Sequence, residues 1–402
     1  MRRREFLQVA GAAGAGALAG AGRRGRSVSA GPATQHEVDP LPAETFQRRL
    51  DAARASMAER GLDVVFAEPS TNFMYLTSAS FGRSERLIAL VLQAEGDAAI
   101  VAPGFEVGRV EAAVKGITDI RGWEEDEDPY KLIADLVWKG EPGRMGIEPS
   151  VRYGVVSRLR AALPQWELVD AEPLFTDLRI TKTDEELRLI RRAISITEAA
   201  IAATFAELDV GLTDREVADH LSQRMSEGGA SGGGLVQFGP TSAIPHGGTE
   251  NRRLERGMPV LIDAGCRVYG YTSDITRMHF FGDDPSPRYR EVFDVVLAAQ
   301  TAAFEAGRAG VECQELDAIA RRLITEAGYG EHFTHRLGHG MGMDGHEPPY
   351  LVSGNDRKLE PGMVFTIEPG IYLSGEWGVR IEDDFVVRED RLEPLSSRVS
   401  PI

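Results

Sequence analysis

Pro259-Val260-Leu261-Ile262-Asp263-Ala264-Gly265 places an aspartate in a run that otherwise reads as a fully buried strand. Eleven residues on, Ser273-Asp274-Ile275-Thr276-Arg277 sets a second aspartate beside β-branched residues. Met363-Val364-Phe365-Thr366-Ile367-Glu368-Pro369-Gly370 repeats the device with a glutamate, and Val379-Arg380-Ile381-Glu382 repeats it again. Carboxylates on apolar extended segments are costly unless paired, and like charges close together force protonation. Only Arg380 and Arg277 stand nearby as counter-charges.

Working outward, each pair of acids follows the same order of elements. Ahead of the first pair, Thr183 with Glu186 forms a capping-box signal, and Leu187, Ile190, Ile194, Ile201, Phe205 and Leu208 follow at helical spacing. Thr213 with Glu216 opens a second helix carrying Val217, Leu221 and Met225. Ahead of the second pair, helices are expected near Tyr289–Gly307 and Glu312–Ala327, with Gly328 as the stop. The region therefore reads as two halves, each helix, helix, then paired strands. Gly228–Gly234 has no following Gly-Lys-Ser/Thr, which argues against a phosphate loop, and it reads as a flexible connection.

Two divalent cations would bring +4 against −4 from Asp263, Asp274, Glu368 and Glu382, so a dinuclear metal site balances the four acids. His339, in Leu337-Gly338-His339-Gly340-Met341-Gly342, supplies a nitrogen ligand between glycines that permit close backbone approach. His346-Glu347-Pro348-Pro349 follows seven residues later. The His-Glu-x-x-His signature of helical zinc proteases is absent, so the design is another one. Four carboxylates and one imidazole form an oxygen-rich set that suits manganese best, while cobalt, zinc or iron also fit.

Residues 41–178 alternate helix-like and strand-like segments. Phe46, Leu50 and Met57 mark a first helix ending at Gly61, and Leu62–Ala67, Leu87–Gln93, Ala98–Ala102, Arg144–Ile147 and Leu168–Asp170 read as strands. Glu124–Asp128 reads as a solvated loop. This is an α/β domain, and an α+β domain with pseudo-twofold halves follows over 179–402.

The first thirty residues hold six arginines and one glutamate, so the net charge of −17 becomes about −22 for a chain starting near Gly31. Such an acidic body repels phosphate backbones, and nucleic acid is not an expected partner. Val9–Gly22 is weakly apolar, and Val28-Ser29-Ala30 offers a small-residue cleavage site. Arg3-Arg4-Glu5-Phe6-Leu7-Gln8 resembles the twin-arginine signal of bacteria, which implies residues 1–30 as an export signal, 31–40 as a linker, and a periplasmic or secreted protein. The stretch is too short and Gly-rich for a stable membrane anchor. Cys266 and Cys313 provide no disulfide framework, and Cys266 reads as an inert core thiol.

With all five ligand positions in order and context, residues from about 180 to 400 resemble the pita-bread metallopeptidases, which comprise methionine aminopeptidase, Xaa-Pro aminopeptidase and prolidase. The preceding region, with Thr71-Asn72-Phe73-Met74-Tyr75-Leu76-Thr77, looks like a creatinase-type N-terminal domain, which favours the Xaa-Pro-cleaving branch. The resemblance implies that Asp263 and Asp274 bind one metal with Asp274 bridging, that His339 and Glu368 bind the second, and that Glu382 bridges both. It implies metals ~3.5–4 Å apart holding an attacking hydroxide, whose proton Glu368 shuttles. By the same resemblance, His246 and His346 position the substrate and stabilise the oxyanion, and Arg380 orients the ligands. The branch is commonly dimeric, which implies a homodimer. His335 is expected to be structural, as are His220, His279 and His332, while His36 belongs to the tail.

The function expected is metal-dependent hydrolysis of peptides with proline at the second position, by an Xaa-Pro aminopeptidase or Xaa-Pro dipeptidase. The alternative is a hydrolase or lyase of the same fold acting on a small non-peptide substrate. A non-catalytic peptide-binding module is disfavoured, because such relatives usually lose ligands that this chain retains.

Overall fold

The computed structural model describes residues 38–247, 251–282 and 284–400. The export signal expected over 1–30 lies outside the described residues, as do His36 and most of the expected linker. No helix among the described residues is long and apolar enough to cross a membrane.

The first domain runs α1 (Ala43–Arg60), β1 (Val64–Ala67), α2 (Thr71–Thr77), β2 (Ala89–Gln93), β3 (Ala99–Pro103), α3 (Val107–Ala113), β4 (Asp119–Trp123), α4 (Pro129–Val137), β5 (Arg144–Ile147), α5 (Tyr153–Ala162), β6 (Glu167–Asp170) and α6 (Glu172–Arg179). Its six strands form one mixed sheet in the order β4-β3-β2-β1-β5-β6. The unbroken apolar run of β1 is explained by burial on both faces. Val65 and Ala67 pack with residues of α1, α2 and α6, while Val64 and Phe66 pack with residues of α4 and α5. The strand β4 has no counterpart in the sequence reading. Asp119-Ile120-Arg121-Gly122 is partly or fully exposed at the sheet edge, so its composition carries no apolar signal.

The second domain begins with α7 (Asp184–Ala206) and α8 (Asp214–Glu227), both opened by complete capping boxes at Thr183/Glu186 and Thr213/Glu216. They cover β7 (Ser231–Phe238), β8 (Met258–Val268), β9 (Tyr271–Thr272) and β10 (Ile275–Phe281), paired in the order β10-β8-β7 with β9 against β8. The second half repeats this order with α9 (Pro287–Ala306) and α10 (Cys313–Glu326). Its strands are β11 (Gly338–Gly340), β12 (Glu347–Leu351), β13 (Val364–Ile367), β14 (Gly370–Leu373), β15 (Trp377–Arg380), β16 (Asp383–Val387) and β17 (Leu392–Pro394). Five of them form a sheet in the order β12-β11-β13-β16-β17, and β14 pairs with β15. This is the α/β domain followed by a pseudo-twofold α+β pita-bread domain that the sequence implied.

One expectation is overturned. Gly228–Gly234 is not a flexible connection, because residues from Ser231 onward form β7, in register with β8 from Ser231↔Arg267 to Phe238↔Val260. A Cβ at Gly232 would lie 2.5 Å from Cys266 Cβ, and one at Gly234 would lie 2.4 Å from the Asp263 carbonyl oxygen. Glycine marks close backbone approach here rather than freedom.

Candidate metal centre

The four acids sit where the two halves face each other. Asp263 lies within β8, whereas Asp274 precedes β10, Glu368 follows β13, and Glu382 joins β15 to β16. His339 is carried by β11, where its glycine neighbours are required. A Cβ at Gly338 would meet the Thr366 carbonyl oxygen at 2.0 Å, and one at Gly340 would meet that of Pro348 at 2.3 Å.

The structure brings these residues into overlapping groups, with one possible ligand atom from each member within 4.8 Å of the others. Asp263, Asp274 and Glu382 make one group, and His339, Glu368 and Glu382 make a second. Glu382 belongs to both. A third group joins Asp274 and His339 to His346. His339 Nε2 lies 3.3 Å from Glu368 Oε1 and 3.8 Å from Asp274 Oδ2. Its Nδ1 faces the Gly340 carbonyl oxygen at 3.1 Å, which orients the ring.

Arg380 ties the halves together. Its Nη2 donates to Asp263 Oδ2 at 2.6 Å, its Nε to Thr276 Oγ1 at 3.1 Å, and its Nη1 to the Tyr372 hydroxyl at 3.0 Å. Thr276 in turn donates to Glu382 Oε2 at 2.6 Å. Arg277, the other expected counter-charge, turns away from the four acids. It pairs with Asp383 at 2.7 Å and donates to the Glu382 backbone carbonyl at 2.6 Å.

The electrostatics are those of an under-compensated acidic nest. Burial first, and then Glu382, raises the Asp274 and Glu368 carboxyls well above the usual carboxylate range. Glu382 is pushed up to about 8 by burial and then by Asp263, against the opposing pull of Arg380. Buried Asp384 is also raised, and its Oδ1 has no hydrogen-bond partner, while its Oδ2 accepts from the Asp274 backbone N–H at 3.2 Å. Burial and the neighbouring His346 lower His339 to about 3, which keeps a neutral imidazole lone pair available. Burial and Arg336 lower His346. Clustered carboxyls that one guanidinium cannot neutralise, beside a neutral imidazole, fit two divalent cations on their donor chemistry alone.

These groups open into a cavity of about 440 Å³. His246 and His346 line it, together with His335 and Arg336. His335 has the expected supporting role, with Nε2 2.8 Å from the Tyr372 hydroxyl that braces Arg380, but it also faces the cavity. The sequence reading did not single out Thr276, Arg336, Tyr372 or Asp384. Thr276 and Asp384 each stand two residues after a ligand candidate, and period-two spacing could have flagged them. Arg336 gave no signal. Outside the site, His279 stacks on Phe205, and Cys266 is buried, with burial raising its thiol.

Two adjacent carboxylate-rich groups sharing Glu382, in a cleft lined by histidines and arginines, define a metal-dependent hydrolase. The chain belongs to Metallopeptidase family M24, whose pattern matches residues 188–389, and it carries a Creatinase/Prolidase N-terminal domain over residues 49–181. The probable dipeptidase PepE of Mycobacterium tuberculosis is 37% identical over 353 residues, covering 87% of this chain and 93% of that protein. Among solved structures, the prolidase from Thermococcus sibiricus superposes with a TM-score of 0.83 at 32% identity, over 89% of this chain and 98% of that one. The Xaa-Pro dipeptidase from Bacillus anthracis gives 0.80 at 31% identity, over 88% of this chain and 98% of that one.

Proposed function

We propose that this protein is an Xaa-Pro dipeptidase working with two divalent metal ions, manganese before cobalt, zinc or iron. The observation that carries the reading is the shared position of Glu382 between two candidate ligand groups, in a cavity that also presents Arg336, His246, His335 and His346. The relatives named as prolidase and Xaa-Pro dipeptidase support proline at the second position.

Asp263, Asp274 and Glu382 would hold one ion, and His339, Glu368 and Glu382 the other, with Asp274 also within reach of His339. When bound, the metals supply Lewis acidity toward the scissile carbonyl and toward water. Glu368 holds and moves a proton at Oε1. His246 and His346, on the cavity wall, donate to the carbonyl oxygen as it gains charge. Arg380 keeps Asp263 and, through Thr276, Glu382 in place. Arg336 is stacked over the Tyr350 ring at 4.4 Å, and its Nη2 lies 3.2 Å from His346 Nδ1. It lines the same cavity as Glu368, and its guanidinium is placed to take the carboxylate of a dipeptide there. Export is proposed by the twin-arginine route, on the likeness of Arg3-Arg4-Glu5-Phe6-Leu7-Gln8 to that signal, and a homodimeric assembly is proposed on the resemblance to a commonly dimeric branch.

The test is hydrolysis of Xaa-Pro dipeptides, dipeptide amides and longer Xaa-Pro peptides by chelated protein and after return of each metal. Metal-restored cleavage with free dipeptides preferred is expected. No cleavage of any Xaa-Pro bond by the metal-loaded protein would move the assignment to a non-peptide substrate.

A further inference from the structure

His346 hangs between two voids. It lines the metal-site cavity on one side and, on the other, a cavity of about 200 Å³ walled by Asn72, Phe175, Arg179, Asp344 and Tyr350. Its side chain is exposed, and around it stand Arg336, the ring of His339, with centroids 3.8 Å apart, and Asp274, which shares a group with both histidines. These contacts leave one side of the imidazole open, and its place depends also on how its chain segment is tethered.

That tether is the next residue. Glu347 opens β12 and is buried at 6% exposure. Its Oε1 accepts from Lys182 Nζ at 2.7 Å, and its Oε2 accepts from Arg179 Nη2 and from the Asp344 backbone N–H at 3.2 Å. Arg179 is the last residue of α6 in the first domain, and Lys182 lies in the junction before α7. Arg179 also donates to Asp344 Oδ2 at 2.7 Å and to Asn72 Oδ1 at 2.7 Å, and Thr71 Oγ1 donates to Asp344 Oδ1 at 2.6 Å. Two cations and two carboxylates thus balance inside one cluster. Gly342 completes it, since a Cβ there would come within 2.6 Å of Glu347 Oε1 and 2.8 Å of Lys182 Cε.

We propose that Arg179, Lys182 and Glu347 are positioning residues through which the N-terminal domain and its junction hold His346 over the metal site. They touch none of the groups proposed to react, and they act by fixing both ends of the 344–347 turn. This rests on the proposed role of His346 in peptide hydrolysis, and the first domain thereby becomes part of the working site rather than a separate cover.

The test is a double-substitution cycle with Glu347→Gln, Lys182→Met and Arg179→Lys, each made in the native chain and in His346→Ala. Metal content, melting temperature, kcat and KM on an Xaa-Pro dipeptide are measured for every variant. Each substitution is expected to lower kcat about 10- to 100-fold in the native chain, as a misplacement of order 1 Å does, with KM and metal content little changed. In His346→Ala the same substitutions are expected to change kcat less than about twofold, because their target is gone. Equal losses in both backgrounds, or none in the native chain, overturn the proposal. Should the charged substitutions fail to fold, Thr71→Val at the rim of the cluster carries the same cycle with a smaller loss. Failure of the native chain to hydrolyse any Xaa-Pro bond is the separate result that removes the functional reading.

Discussion

At the scale of single residues, the site is organised by charge that the protein alone does not balance. Glu382 shows it most clearly. A carboxyl whose folded pKa is raised favours folding while protonated, so that contribution is full below the ordinary carboxylate value and is lost as pH rises through about 8. The metal-free protein is therefore expected to melt lower at pH 9 than at pH 6, and Glu382→Gln to narrow that difference. Calorimetry in a chelating buffer reads both, and added metal should reverse the loss. His346→Ala is expected to lower kcat by ~10²–10⁴-fold while sparing metal content, which steady-state kinetics beside metal analysis would check. The four acidic ligand candidates were legible because acids in or beside apolar strands are physically anomalous, and His339 became legible only beside them. Arg336 was not, because an arginine in a polar loop is ordinary until the fold shows which cavity it faces. Arg277 misled for a related reason: its nearness in sequence to Asp274 hid that its side chain runs toward Asp383.

At the scale of elements, the long helices α1, α7, α8, α9 and α10 were readable, while the short helices α2 to α6 and the polar or glycine-built strands were not. Both capping boxes in the second domain stand where the sequence put them, since side chain and backbone donors satisfy each other locally. The strand β7 escaped because its glycines answer to a neighbour, the β8 backbone, that is more than twenty residues away. Gly234→Ala is accordingly expected to destabilise the protein by about 1–3 kcal/mol, as overpacking does, and to weaken metal binding by displacing the strand that carries Asp263. A shift in melting temperature together with a metal titration tests this. An unchanged protein would mean that β7 yields more easily than its contacts suggest.

At the scale of the whole molecule, the two domains share more than a linker. Arg49 of α1, which also donates to the Tyr75 carbonyl oxygen within its own domain at 2.9 Å, reaches across to donate to Glu186 Oε1 at 2.9 Å and bonds the Tyr271 hydroxyl at 2.5 Å. Arg49 and Glu186 are both buried, so removing one partner leaves an uncompensated charge. Arg49→Met is expected to cost about 3–5 kcal/mol, read by denaturant unfolding. Native domains coupled in this way should unfold in one transition, and a second transition in the native chain would contradict that coupling. None of these cross-domain contacts was visible in sequence, because they join residues more than a hundred positions apart whose local patterns are complete without each other.

Asp274 and Glu382 each belong to two of the overlapping groups in one cavity, and the proposed function requires each to serve two cations. Calorimetric titration of the chelated protein with manganese, with Xaa-Pro dipeptide hydrolysis followed in parallel, tests it most directly. Two ions per native chain are expected, with cleavage appearing as they bind, and both ions and cleavage are expected to be lost in Asp274→Ala and in Glu382→Ala. Dinuclear occupancy retained in either variant would contradict it.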